Sequence, residues 1–183
     1  MSKLIPRRSY VELEPALAEA LRPKVERLGY LGEFFQCAAH QPRALTSFNR
    51  LTEDLKEALP DNLTELVALS VAALMGNAYE RVQHERLALK LGFTEAWVRE
   101  VVSLEAERGG ELSEAERLTQ KLALAVVERR GHNTTEELEA VVKTIGHEQA
   151  VGVLLLIGRY VMHALIVNSL ALEPPVSSPL AEK

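Results

Sequence analysis

The chain has 183 residues, a formal net charge of −5, 47% hydrophobic residues and 26% charged residues. Its length corresponds to one domain, and its apolar fraction is high enough to form a packed core, which excludes wholesale disorder. The acidic balance and an aromatic content of 5% argue against a nucleic-acid binder, which usually carries a basic face and stacking aromatic side chains. These numbers predict a single globular domain spanning 1–183.

The helices are predicted from apolar residues that recur at helical spacing, with no convincing alternation that would indicate a strand. Positions 1–12 are predicted to form an N-terminal arm, and 173–183, rich in Pro and Ser, a flexible tail. Between them, helical segments are predicted in chain order at about 14–28, 31–40, 42–59, 64–76, 77–91, from 94 onward, 113–131, 134–146 and 148–172. The sequence therefore predicts an all-α fold.

Three of these segments have features of their own. The helix at 64–76 is apolar nearly all the way round, so we expect it to be central and buried. Capping boxes at Ser113 and Thr134, each followed three residues later by Glu, are predicted to open two helices, and Gly146 to end the second of them. In the last helix the apolar run 150–157 is followed by Arg159, so we expect a buried helix and no membrane span.

One cysteine, Cys37, is present in the chain. An intramolecular disulfide and any redox mechanism that needs two thiols in one chain are therefore excluded. Cys37 lies in the apolar stretch FFQCAAH, so we expect a small core side chain; peroxide chemistry at this thiol is a hypothesis that the apolar surroundings disfavour. Positions 1–10 lack the apolar segment of a secretory signal, which makes the cytoplasm the expected compartment.

Candidate acid–base residues lie on and beside the central helix. Glu80 and His84 are four residues apart on one helix, so they share a face, and a carboxylate that orients an imidazole can support proton transfer near neutral pH. The same spacing also occurs in exposed pairs that only stabilise a helix slightly. Glu65 is a second candidate, although a carboxylate near a helix start is also favoured by the helix dipole. No HExxH motif or third ligand is present, so no metal is expected.

Four further side chains are candidate substrate contacts. Tyr79 or Asn77 can donate a hydrogen bond to an oxyanion, and Arg81 or Arg159 can bind a carboxylate. Arg159 is flanked by apolar residues, and a buried Arg needs a partner, which is either structural or a ligand.

The run ELVALSVAALMGNAYERVQHERLALKLGFTEAWVREV resembles the signature of the carboxymuconolactone decarboxylase and alkyl hydroperoxidase D-like family. In that signature a Glu is followed twelve residues later by Cys-x-x-Cys-x-x-x-His and then by a turn that ends in Gly. The matching positions here are Glu65, Asn77, Glu80, His84 and Gly92. The resemblance covers about 30–172. It implies an alkyl hydroperoxidase D-like helical bundle that assembles as a homo-oligomer, a trimer or a hexamer.

The departures from the signature decide which chemistry the resemblance implies. In the peroxidase branch the two cysteines form the redox centre, whereas Asn77 and Glu80 stand in their places here, so we expect no dithiol peroxidase activity. The run YERVQH at 79–84 is similar to the family's YE-x-x-QH branch, many members of which have Trp at the position of Arg81. The true lactone decarboxylases also keep Glu-x-x-x-His without a cysteine pair.

The resemblance implies a cofactor-free, decarboxylase-like enzyme that acts on a small carboxylated lactone or a related acid. His84 would deliver the proton, Glu80 would fix its tautomer, and Glu65 would be a second carboxylate in the relay. The expected partner is this small molecule, with no nucleic acid and no membrane. The alternative is a non-catalytic binding or scaffold protein that retains the fold, in which Glu80 and His84 form a buried structural pair.

Overall fold

The computed structural model describes residues 4–108 and 110–181, so parts of the predicted arm and tail, 1–3 and 182–183, lie outside the described residues. The described ranges contain helices and no strands, which confirms the predicted all-α class. The chain divides into two compact units, Met1–Asp54 and Leu55–Lys183. The prediction of one domain stays a prediction.

The described part of the chain contains eight α-helices and one short 3-10 turn, Tyr10–Glu12. The helices, in chain order, are α1 (Pro15–Leu28), α2 (Glu33–Ala38), α3 (Pro42–Ala58), α4 (Asp61–Leu74), α5 (Ala78–Lys90), α6 (Glu95–Ser103), α7 (Glu114–Glu128) and α8 (Thr135–Ser169). The predicted segments at 134–146 and 148–172 correspond to the two parts of α8. They meet at Gly146, whose φ of 81° and ψ of 164° are not helical, so the predicted break at this residue is confirmed.

The first unit is built around α1 and α2. Leu17, Leu21 and Phe34 are buried in it, and Cys37 is buried on α2. The described part of the arm is bound to this unit, since Arg7 forms an ion pair of 2.8 Å with Glu33. The first unit therefore carries the chain's single thiol.

The second unit is organised around α4. Ten consecutive residues of α4, from Leu63 to Ala72, are buried. They are buried because α5, α6, α7 and α8 all pack against this helix. Val67 packs in one core with α7 and α8, and Leu66 packs in another core with Trp97 of α6. The prediction of a central, buried helix is therefore confirmed.

The two predicted capping boxes have different outcomes. At α7 the Ser113 hydroxyl accepts the Glu116 N–H at 3.3 Å while the Glu116 carboxylate accepts the Ser113 N–H at 2.7 Å, which confirms the first box. The prediction of a second box at the start of α8 is wrong, because the Thr134 side chain accepts no hydrogen bond from a helix N–H. Thr134 instead follows a tight turn in which Asn133 has a positive φ of 54°, and its own φ and ψ are −110° and 14° rather than extended.

Helix α8 is long and apolar enough to cross a membrane by length and composition. A buried core helix of a soluble protein passes the same test, and 56% of the most apolar window of α8 is buried within the protein. It also carries Arg159 and His163 in buried positions, where both lie close to the Glu80 carboxylate. We therefore retain the interpretation of α8 as a core helix.

The described part of the tail contacts α5 and α6. The Ser178 hydroxyl donates a hydrogen bond of 2.5 Å to Glu85 on α5, and Arg99 on α6 donates one of 3.2 Å to the Leu180 carbonyl. The tail's predicted flexibility stays a prediction.

Candidate active site

The candidate site lies in the second unit, where α4, α5 and α8 meet. Gly76, with a φ of 63°, turns the chain between α4 and α5. Asn77 then caps α5 by accepting the Glu80 N–H at 3.1 Å. These helices bring together six buried side chains, which we call the carboxylate–histidine cluster: Glu65, Glu80, His84, Arg159, Tyr160 and His163.

His84 lies at the centre of the cluster. Its Nδ1 is 2.6 Å from Glu65 Oε2. Its Nε2 is 3.1 Å from the Tyr160 hydroxyl and 3.3 Å from Glu80 Oε1. The sequence predicts that Glu80 orients the imidazole, but in the structure Glu65 makes the shorter contact. Glu65 is therefore the carboxylate that fixes the ring, and Glu80 faces its other nitrogen.

Glu80 joins His84 to the residues of α8. Its Oε2 is 2.9 Å from His163 Nδ1, and its Oε1 is 3.6 Å from Arg159 Nη1. The Arg159 guanidinium in turn lies 4.2 Å from the centre of the Tyr160 ring, a cation–π distance. The Glu80 carboxylate is thus surrounded by three basic side chains.

The surroundings change the pKa values of three groups in the cluster. Burial lowers the pKa of His84, but Glu65 and Glu80 outweigh this effect and raise the pKa above its ordinary value. Burial raises the pKa of Glu80, but the charges and hydrogen bonds of His163 and His84 hold it well below the usual range. Burial lowers the pKa of His163; Glu80 opposes the change and Arg159 adds to it.

These shifts favour a charge-balanced cluster. The raised pKa favours the imidazolium form of His84, and the lowered pKa values favour the carboxylate form of Glu80 and the neutral form of His163. With Glu65 and Arg159 included, two negative and two positive charges are buried together, which is the arrangement that makes buried charges tolerable. The cluster can therefore hold a proton on His84 and supply it without first collecting one from solvent.

The other predicted site residues have different surroundings. Glu65 is the fifth residue of α4 and contacts His84, so its role is not explained by the helix dipole alone. Asn77 and Tyr79 are buried at the start of α5. Arg81 lies 3.6 Å from Glu85, and 38% of its side chain is exposed. The predicted roles of Asn77, Tyr79 and Arg81 in substrate binding stay predictions.

Tyr160 and His163 belong to the site but are not among the residues that the sequence predicts for it. Both residues lie on α8 and contact residues of α5 that are 76 or more positions away in the sequence. The available signal was the spacing of Arg159 and His163, which are four residues apart in an otherwise apolar helix and so share a face. In the described ranges no group of three or more His, Cys, Asp or Glu side chains is arranged to hold a metal ion.

The described part of the chain combines an all-helical fold with a buried Glu–His–Glu arrangement, and the chain has one cysteine. Residues 42–121 match the family described as the carboxymuconolactone decarboxylase family. This match confirms the resemblance over that region.

Solved structures of low sequence identity share the fold. The apo debrominase Bmp8 is 16% identical, with 96% of this chain and 94% of that chain covered and a TM-score of 0.83. A Cys-to-Ala variant of Bmp8 in complex with 2,3,4-tribromopyrrole is 16% identical, with 94% and 92% covered and a TM-score of 0.81. An alkylhydroperoxidase AhpD core structure, an uncharacterized peroxidase-related protein from Ralstonia eutropha JMP134, is 16% identical, with 92% and 90% covered and a TM-score of 0.77. No curated protein matches the chain.

Proposed function

We propose that the protein is a cofactor-free, decarboxylase-like enzyme that transfers a proton to a small carboxylated lactone or a related acid. The observation that carries this proposal is the His84 imidazole, held between Glu65 at 2.6 Å and Glu80 at 3.3 Å in a buried site. An imidazole that is oriented and charged by carboxylates is a suitable general acid near neutral pH.

The proposed reaction consumes one proton for each CO2 released. The C–C bond to the substrate carboxylate breaks, its electron pair passes to the remaining carbon as an enolate, and CO2 leaves. His84 donates its proton to that carbon and is reprotonated from water. Because Glu65 stays hydrogen-bonded to Nδ1, the ring keeps its orientation while the other nitrogen changes its protonation state.

The substrate approaches from the side of Glu80 in this proposal. Glu80 has the most exposed ionisable side chain of the cluster, at 11%, compared with 7% for His84 and 2% for Glu65. Arg159 supplies a buried positive charge beside Glu80, where it stabilises the carboxylate of the bound acid. Tyr79 or Asn77 is proposed to stabilise the enolate oxygen.

Thiol chemistry is not part of the proposal. The positions that carry the cysteine pair of the peroxidase branch hold Asn77 and Glu80, and Cys37 has no second cysteine in the chain to pair with. A dithiol peroxidase cycle needs two thiols that form and reduce a disulfide. We therefore propose that dithiol peroxidase activity is absent.

We also propose that the protein is a homo-oligomer, as the family resemblance implies. In support, Val151, Leu155, Met162 and Leu165 on α8 are each about half exposed, at 49–55%, and are spaced so that they share one face of the helix. Light scattering coupled to gel filtration tests this directly, since a monomeric mass of 20.3 kDa would contradict it.

The decisive assay measures the loss of 4-carboxymuconolactone absorbance together with CO2 release. We expect His84→Ala to reduce turnover by about 10²–10⁴-fold, the usual contribution of a general acid. His147→Ala, which changes an exposed histidine of α8, is the matched control and should leave turnover unchanged. Equal turnover in wild type and His84→Ala would refute the assignment.

The same experiment separates the enzyme from the scaffold alternative. If wild-type protein turns over neither 4-carboxymuconolactone, nor related carboxylated lactones, nor the halogenated pyrrole bound by a structural neighbour, the binding or scaffold function is favoured. In that case His84→Ala should lower stability without changing any reaction.

A further inference from the structure

The proposed reaction gives no task to His163, although its geometry is specific. His163 is 3% exposed, and its Nδ1 lies 2.9 Å from Glu80 Oε2. The other oxygen of the same carboxylate, Oε1, is the one that faces His84 Nε2 at 3.3 Å. The two carboxylate oxygens therefore have different histidine partners.

This division restricts how Glu80 can turn. Rotation of a carboxylate about its terminal bond is otherwise soft. The 2.9 Å contact of His163 Nδ1 with Oε2 restricts that rotation, and the direction of Oε1 toward His84 then follows. His163 is held in turn by its place on α8, a rigid helix, rather than by a loop.

We propose that His163 is a positioning residue for the reaction, which donates its Nδ1–H to Glu80 as a neutral imidazole and thereby keeps Oε1 directed at His84. The proposal rests on the function proposed above. It also assigns the tautomer of His163, with the proton on Nδ1.

The charges that face His163 favour a neutral donor at this place. Glu80 and His84 face it from α5 and Arg159 from its own helix, while Glu65 on α4 and the Tyr160 hydroxyl contact His84. Two carboxylates already balance the His84 imidazolium and the Arg159 guanidinium, so a charged His163 would add an uncompensated buried cation. Burial and the nearby Arg159 lower the pKa of His163, which agrees with this balance.

Three variants test the role in catalysis. We expect His163→Leu to lower kcat by about 10²-fold with little change in KM, since a small misplacement of a reacting group has an effect of this order. His163→Asn places an amide N–H close to the position of Nδ1 and should recover most of kcat. His147→Leu, the matched control on the exposed part of α8, should leave both constants unchanged.

A second measurement does not depend on turnover. Nitrogen-15 NMR of the wild-type histidine side chains should show His163 as the neutral Nδ1–H tautomer at pH 7. In His163→Leu the pKa of His84 should fall, because Glu80 is no longer held against its imidazolium, and in His163→Asn it should stay near the wild-type value.

The two measurements separate the failure of this inference from the failure of the proposed function. If no substrate is turned over but the NMR results are as expected, His163 still positions Glu80 and only the reaction is wrong. A cationic or Nε2–H His163 in the wild type would overturn the inference. So would an unchanged pKa of His84 in His163→Leu, an unchanged kcat in that variant, or an equal loss in His163→Asn.

Discussion

Replacing Glu65 by Gln removes one negative charge from the cluster while keeping the shape of the side chain. The Glu65–His84 contact is 2.6 Å, and both side chains are at most 7% exposed, so solvent screens it weakly. A hydrogen bond to a charged group contributes about 1.5–3 kcal/mol to stability. Because Gln keeps an acceptor oxygen but loses the charge, we expect Glu65→Gln to lower the free energy of unfolding by about that amount at pH 6.

The loss of stability in Glu65→Gln should become smaller as the pH rises. Burial lowers the pKa of His84, but Glu65 and Glu80 raise it above the value of 6.5 expected in the unfolded chain. A raised pKa stabilises the folded state fully below about 6.5, and this contribution is lost as the pH rises through the folded pKa. The difference in stability between wild type and Glu65→Gln should therefore be largest near pH 6 and shrink toward pH 9.

Urea denaturation followed by tryptophan fluorescence is the assay. The chain's single tryptophan, Trp97, is buried on α6 in the same unit as the site, with its ring stacked 4.4 Å from that of Phe93. Glu95→Gln removes the same charge from an exposed position and should change stability by less than about 0.5 kcal/mol at every pH. A difference between wild type and Glu65→Gln that stays constant from pH 6 to pH 9 would refute the reasoning.

Three further variants test the local structure by urea denaturation. Ser113→Ala should lower the free energy of unfolding by about 1 kcal/mol because it removes the cap of α7. Thr134→Ala should change it by less than about 0.5 kcal/mol, since Thr134 caps no helix N–H, and equal losses would contradict the two cap geometries. Gly146→Ala should lower stability by about 1–3 kcal/mol, because φ of 81° and ψ of 164° are strained for any residue with a side chain. An unchanged stability in Gly146→Ala would argue against this backbone conformation.

The fold could be predicted largely because helix ends are coded locally. Gly29 and Gly92 have positive φ values of 80° and 97°, and each follows a predicted helix within a few residues of its observed end. Pro42 begins α3 as expected for a residue whose missing N–H costs nothing in the first turn. The failed capping box at Thr134 has a local cause as well, because the preceding turn through Gly131 and Asn133 sets a backbone that does not suit a cap.

The candidate site was predictable only in part, because its contacts join distant segments. The spacing of Glu80 and His84 puts them on one helical face, but the contact of His84 with Glu65 spans 19 positions and was reached through the family resemblance. Tyr160 and His163 lie on α8, and no local pattern says which helix their face will meet. Which carboxylate faces which nitrogen of His84 could not be predicted from local sequence either, since this depends on how α4 and α5 pack.

Asn77 and Glu80, which stand at the cysteine positions of the family signature, make structural contacts of their own. Asn77, at the first cysteine position, caps α5 by accepting the Glu80 N–H. Glu80, at the second, supplies the negative charge that faces His84, His163 and Arg159. Removing one partner from a buried charge cluster leaves the others uncompensated, at a cost of about 3–5 kcal/mol. The acid at position 80 is therefore tied to the basic residues of α8, and a neutral residue at this position would leave charges on a second helix uncompensated.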